Sequence, residues 1–170
     1  MEPIEPQPPY ALLEGRFEGR NDFEQLVRDA LVQAGQAGWR EIILSDSSFS
    51  DWPLGERAVI ESLNAWASSG RKLTMLAKNY DDVVRRHPRF VRWRTTWDHI
   101  IQCRASPNAD ALDLPSMIWS PEWVMHRLDP VRSNGVAGAE PGRRIAAQEL
   151  LREWIQTKSS LGFPASTLGL

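Results

Sequence analysis

One cysteine in 170 residues, Cys103, leaves the chain without an intrachain disulfide and without a cysteine-based zinc cluster. Long apolar runs are missing too, and none approaches the ~20 residues needed to span a bilayer. The start, Met1-Glu2-Pro3-Ile4-Glu5-Pro6, lacks the basic and apolar regions of a secretory signal, so a cytoplasmic location with no membrane partner is expected. Excess charge of either sign is also lacking. A net charge of -2 and a pI near 5.9 provide no global basic field, so any hold on nucleic acid must come from a local patch. No pattern in the chain calls for a metal or a cofactor. There is no Gly-x-Ser-x-Gly elbow, no Walker pattern and no dinucleotide fingerprint.

What is present suits a soluble globular domain. The 42% hydrophobic and 25% charged residues are ordinary values, and a chain of this length buries about two-thirds of its unfolded surface. Tryptophan is the outlier, with eight residues at positions 39, 52, 66, 93, 97, 119, 123 and 154 against two tyrosines. Rings of this size serve cores and interfaces alike; core packing is the first reading and a partner surface the second.

Residues 1–9 are rich in Pro and Glu with nothing to bury, so they are expected to be extended; residues 159–170 read as a frayed or docked tail around a domain at 10–158. Between them strands alternate with helices. Asn21 and Glu24 fit a capping box, followed by the helical face Phe23, Leu26, Val27, Ala30, Leu31 and Ala34, with Gly35 or Gly38 as the stop. Glu41–Ser45 is a largely apolar strand. Pro53 suits the first turn of a second helix with the stripe Val59, Ile60, Leu63 and Ala67, ending at Gly70. Lys72–Ala77 is a third strand. The helical stretch Asp81–Trp97 is divided at Pro88, which disfavours helix at His87. Ile100–Cys103 follows as a strand. Ser116–Ser120, Trp123–Leu128 and Gly135–Ala139 are short and turn-separated, as antiparallel strands are. A helix from Gly142 to about Lys158, with Ala147, Leu150, Leu151 and Trp154 inward, completes the domain. The pattern predicts a single α/β domain. Its largely parallel central sheet has helices on both faces and antiparallel strands toward the C-terminal end.

This order of elements resembles one half of a phospholipase D-like domain. The resemblance places that family's His-x-Lys motif in Leu114-Pro115-Ser116-Met117-Ile118-Trp119-Ser120, which holds neither residue. The histidine and lysine would fall near Pro115 and Met117. The nearest histidine, His126, is followed by Leu128 where a lysine is wanted and by Ser133 where the family has aspartate. The resemblance thus implies the fold without its catalytic machinery. It also implies a homodimer, because active members pair two halves across a shared active-site face, and some tryptophans would serve that contact.

Three groups of residues are candidates for chemistry or binding. On a strand, alternation sets Trp123, Met125 and Arg127 on one face and Val124, His126 and Leu128 on the other; His126 is a candidate acid or base, or a hydrogen-bonded core residue. Ser45 and Asp46, with Ser47 and Ser48, follow the second strand, where open parallel sheets bind ligands, and could equally cap a turn. With His126 they would make the site of a phosphoester-processing enzyme. The strongest binding signal is Arg85, Arg86, Arg89, Phe90, Arg92, Trp93 and Arg94, five arginines interleaved with two rings. Stacking faces beside guanidinium groups suit single-stranded nucleic acid. The competing reading turns the rings inward and leaves the arginines solvated or paired with Asp81, Asp82 and Asp98. The expected function is therefore a catalytically silent binding or assembly module, with a nucleic-acid or protein partner.

Overall fold

In the computed structural model, residues 12–164 are described; the expected extended segment at 1–9 and residues 165–170 of the tail lie outside them. The elements run β1 (Gly15–Phe17), α1 (Arg20–Ala37), β2 (Glu41–Ser45), α2 (Arg57–Ala67), β3 (Lys72–Ala77), α3 (Asp81–Arg86) and α4 (Pro88–Thr96). A 3₁₀ turn at Asp98–Ile100 leads into β4 (Ile101–Ala105), β5 (Met117–Trp119), β6 (Val124–Asp129), β7 (Asn134–Gly138), α5 (Pro141–Thr157) and β8 (Ser160–Leu161).

The strands form one eight-stranded sheet in the order β1-β7-β6-β5-β2-β3-β4-β8. The α/β class, the helices on both faces and the antiparallel C-terminal strands are as the sequence implies. Its parallel part is confined to the centre: β2, β3 and β4 run parallel, and every other neighbouring pair is antiparallel. Helical crossovers join adjacent strands only among β2, β3 and β4; β5, β6 and β7 follow one another through short loops, which can join only antiparallel neighbours.

Strand β2 shows why the core has two sides. Ile42 and Leu44 join the large cluster under α1, α2 and α4, while Ile43 joins the smaller one under α5 with Met117, Trp119, Val124, Ala147 and Leu151. All six residues predicted for the inward face of α1 are buried, and Gly38 closes that helix in the left-handed conformation at φ 65°. Seven tryptophans are buried in the monomer and Trp97 is half-buried.

Three local expectations change. The Asn21 capping box does not form, because α1 starts two residues earlier with Gly19 at its cap, whose N–H donates to Asn134 Oδ1 at 3.1 Å. Pro53 does not open α2, which begins at Arg57. Phe49, Trp52, Pro53 and Leu54 are all buried, and burying them holds the preceding loop in an irregular path. The tail is docked as far as it is described: β8 pairs with β4, and Phe163 stacks on Tyr80 with ring centroids 4.8 Å apart. No helix among the described residues is long and apolar enough to cross a membrane.

Candidate functional site

The pole of the sheet at the carboxyl end of β2 is held by Arg127, a strand residue on the same face as Trp123 and Met125. Its side chain is 2% exposed, so every N–H must find an acceptor inside the protein. A guanidinium has five such donors, and the structure matches all of them. Nε donates to Ser116 Oγ at 3.0 Å. Nη1 donates to Asp51 Oδ2 at 2.6 Å and to Ser133 Oγ at 3.3 Å. Nη2 donates to Asp46 Oδ1 at 2.9 Å and to Asp51 Oδ1 at 3.2 Å. The plane of the group lies over the Phe23 ring, 4.0 Å from its centroid. Burial alone works against the charged form, but the hydrogen bonds and fields of Asp51 and Asp46 outweigh it and raise the Arg127 pKa above its ordinary value.

Each partner is fixed locally. Asp46 begins the loop after β2, and its Oδ2 accepts from the N–H groups of Ser48 at 3.1 Å and Phe49 at 2.8 Å, capping the turn. Ser45, buried beside it, donates its hydroxyl to the Pro115 carbonyl at 2.6 Å. Ser133 sits in the turn between β6 and β7 with φ 57°. The segment Leu114–Ser120, where the resemblance would place His-x-Lys, runs buried through this pole, and the Ser116 carbonyl accepts from the Arg127 N–H at 2.8 Å. The cluster holds two carboxylates against one guanidinium, and the guanidinium has no free donor. A phosphate could reach this guanidinium only by breaking one of these bonds.

His126 is not part of that cluster. Alternation turns it to the opposite sheet face, toward α5, where burial first and the charge of Arg143 second lower its pKa. The structure thus does not bring His126 to Asp46; Ser45 shares the α5 face with His126, two strands away across Met117, and its hydroxyl is engaged by the Pro115 carbonyl. Leu128, on the same side as His126, is largely exposed, while Ser133 belongs to Arg127.

The arginine-rich segment divides into two sets. Phe90 and Trp93 are buried in the core, so they offer no stacking surface, and Arg94 is buried beneath the tail. Its Nη1 donates to Asp98 Oδ1 at 2.6 Å and its Nη2 to the Phe163 carbonyl at 2.9 Å. The reason lies in helix phase: α4 must cover the sheet with Phe90 and Trp93, and Arg94 follows directly on the same side. Arg85, Arg86, Arg89 and Arg92 remain exposed, with Arg85 paired to Asp82. Arg89 and Arg92 face α2 across a groove of about 340 Å³, joined there by Arg57, Asn64 and Glu61.

Sequence reasoning missed the closed arginine cluster and Arg57. The first left a signal: Arg127 falls on the face of β6 that carries Trp123 and Met125, and a cation there requires buried acceptors. Arg57 left none, because its neighbours across the groove lie more than thirty residues away.

No family model matches the chain, and no curated protein matches it. Solved structures do. TrmBL2, an archaeal chromatin protein described with a novel mode of DNA binding, matches with a TM-score of 0.62 at 16% identity, over 89% of this chain and 54% of that one. The chain therefore spans about half the length of TrmBL2. Nuc, a phospholipase D family member from Salmonella typhimurium, matches with a TM-score of 0.54 at 11% identity, over 81% of this chain and 91% of that one. At these identities the likeness concerns the fold, a mixed α/β sheet consistent with the phospholipase D-like arrangement the element order suggested.

Proposed function

We propose that the chain is a catalytically silent phospholipase D-like half that works as a binding or assembly module and pairs with a second copy of itself. The observation that carries the silent reading is the saturated Arg127 cluster. Hydrolysis of a phosphodiester needs a nucleophile and a cationic cradle that are free to meet the phosphate. At this pole the buried cation Arg127 has all five N–H groups engaged by Ser116, Ser133, Asp46 and Asp51. His126, which could act as a nucleophile or a base, faces the other side of the sheet. Pairing is supported by Leu128 and Val131, both strongly exposed on β6 and the turn after it. The DNA binding described for TrmBL2 makes nucleic acid one partner class to test.

The direct experiment is a panel of phosphodiester substrates, from bis-p-nitrophenyl phosphate to single-stranded and duplex DNA. No turnover above a buffer blank is expected at any pH between 5 and 8. Turnover that disappears in His126→Ala would overturn the reading. Light scattering at tens of micromolar tests the pairing: a dimer mass is expected, and a strictly monomeric mass refutes it.

A further inference from the structure

Helices α2 and α4 lie side by side and run in the same direction. At their start Arg89 Nη1 donates to the Gly55 carbonyl at 3.1 Å, and a Cβ on Gly55 would meet the His87 ring at 3.1 Å. Toward their end Trp97 Nε1 donates to Asn64 Oδ1 at 3.0 Å. The groove between them is lined by Arg57, Glu61 and Asn64 from α2 and by Arg89, Arg92 and Thr96 from α4. On each helix these residues recur at helical spacing, so both faces turn toward one another along the whole contact.

Four observations make this a built site rather than a crease. Arg57, Arg89 and Arg92 converge there against the one acid Glu61, in a chain whose overall charge is negative. None of the three is in an ion pair among the described residues, although Arg28, Arg85, Arg94, Arg127 and Arg132 all are. Both helices start at the same end; α4 has no acidic residue in its first turn, and the cap residue of α2, Glu56, is paired with Arg28. Finally, Trp93 forms part of the groove wall at 5% exposure, and its buried indole N–H finds no acceptor in the protein.

We propose that this groove holds the phosphodiester backbone of nucleic acid, with Arg57 on one side and Arg89 and Arg92 on the other. Guanidinium forks match phosphate oxygens bidentately. Three of them in a short groove need a ligand with closely spaced charges, and a nucleic-acid strand supplies one about every 3.4 Å of helix axis. With Phe90 and Trp93 buried there is no platform for bases, so binding is by backbone and independent of sequence. The inference deepens the binding-module reading and rests on it only for the absence of turnover. The hydrolysis assay reports on the Arg127 pole alone, so the two readings fail separately.

The test is fluorescence anisotropy of the full chain with a labelled ~20-nucleotide single strand and the matching duplex, at ~50 and ~200 mM salt, the range in which phosphate contacts show themselves. Three phosphate contacts predict affinity falling about 20- to 40-fold between these salts, by the counterion-release slopes for single strands and duplex. Arg57→Glu, Arg89→Glu and Arg92→Glu should each weaken binding at least tenfold, while Arg152→Glu, at an exposed position of α5, should not. Each variant is exposed, and circular dichroism establishes that it is folded. Equal affinity for two unrelated sequences supports the backbone mode. The proposal is overturned by no binding at low salt, by binding indifferent to all three groove variants, or by polyglutamate competing as well as the single strand.

Discussion

Arginine plays opposite parts at two places in this molecule. At the pole of the sheet Arg127 is enclosed and every donor is engaged, with two carboxylates and two hydroxyls closed around it. In the groove between α2 and α4, Arg57, Arg89 and Arg92 are exposed and carry no carboxylate partner among the described residues. The same side chain is a structural clamp in one environment and an available cation in the other. Desolvation makes the difference: a buried guanidinium must be paired internally, whereas a solvated one keeps its donors for a ligand.

The hardest way to break this comparison is to remove the clamp. Arg127→Met strands Asp46 and Asp51 at the pole without a cation, and breaking a buried pair in this way costs roughly 3–5 kcal/mol. Urea denaturation should show that loss, and adding Asp46→Asn and Asp51→Asn should restore much of it. A loss within about 0.5 kcal/mol, the range of ordinary surface substitutions, would mean Arg127 is no clamp. A milder intrusion is Gly135→Ala. Its Cβ would lie 2.1 Å from the His126 carbonyl oxygen and 2.8 Å from Arg127 Cα, forcing β6 and β7 apart. Overpacking of this kind costs about 1–3 kcal/mol and should lower the melting temperature.

Protonation at His126 probes the far side of the same strand. Its pKa is lowered in the folded state, so the unfolded chain takes up the proton first as pH falls. The histidine's contribution is therefore whole above its unfolded pKa of about 6.5 and fades as pH drops through and below that value. Melting temperatures measured from pH 7.5 to 5 should fall less steeply in His126→Gln than in the parent. Parallel curves would show that burial of this ring carries no linkage. The smallest effect is expected in the groove itself: Arg89→Gln and Arg92→Gln should change stability by less than about 0.5 kcal/mol, as solvated surface positions do. A loss above 1 kcal/mol there would give the groove arginines a structural duty and erase the contrast with Arg127.

Much of this was legible along the chain. The face Phe23, Leu26, Val27, Ala30, Leu31 and Ala34, the strands Glu41–Ser45 and Lys72–Ala77, and the break of the long helix at Pro88 follow from periodicity and from proline geometry, which are local properties. The antiparallel run at the C-terminal end followed from short, turn-separated segments. Local rules misjudged Pro53 and the Asn21 cap, because the cost of an irregular loop was offset by the burial of Trp52 and Leu54, and Asn134 reached across from another strand to Gly19. The candidate sites fared unevenly. Arg89 and Arg92 are exposed as the solvated reading required, whereas Phe90, Trp93 and Arg94 turned inward, because α4 has one face to cover the sheet and these residues lie on it.

The sequence by itself determined the alternation of strands and helices, the inward face of α1 and the absence of histidine and lysine from Leu114–Ser120, since each of these depends on residues close together in the chain. Only the tertiary structure decided where the antiparallel strands join the parallel ones, that Arg127 is saturated by Asp46, Asp51, Ser116 and Ser133, and that Arg57 faces Arg89 and Arg92. Those partners come from loops and helices far apart in sequence, and their meeting is fixed by how the two faces of the sheet are covered.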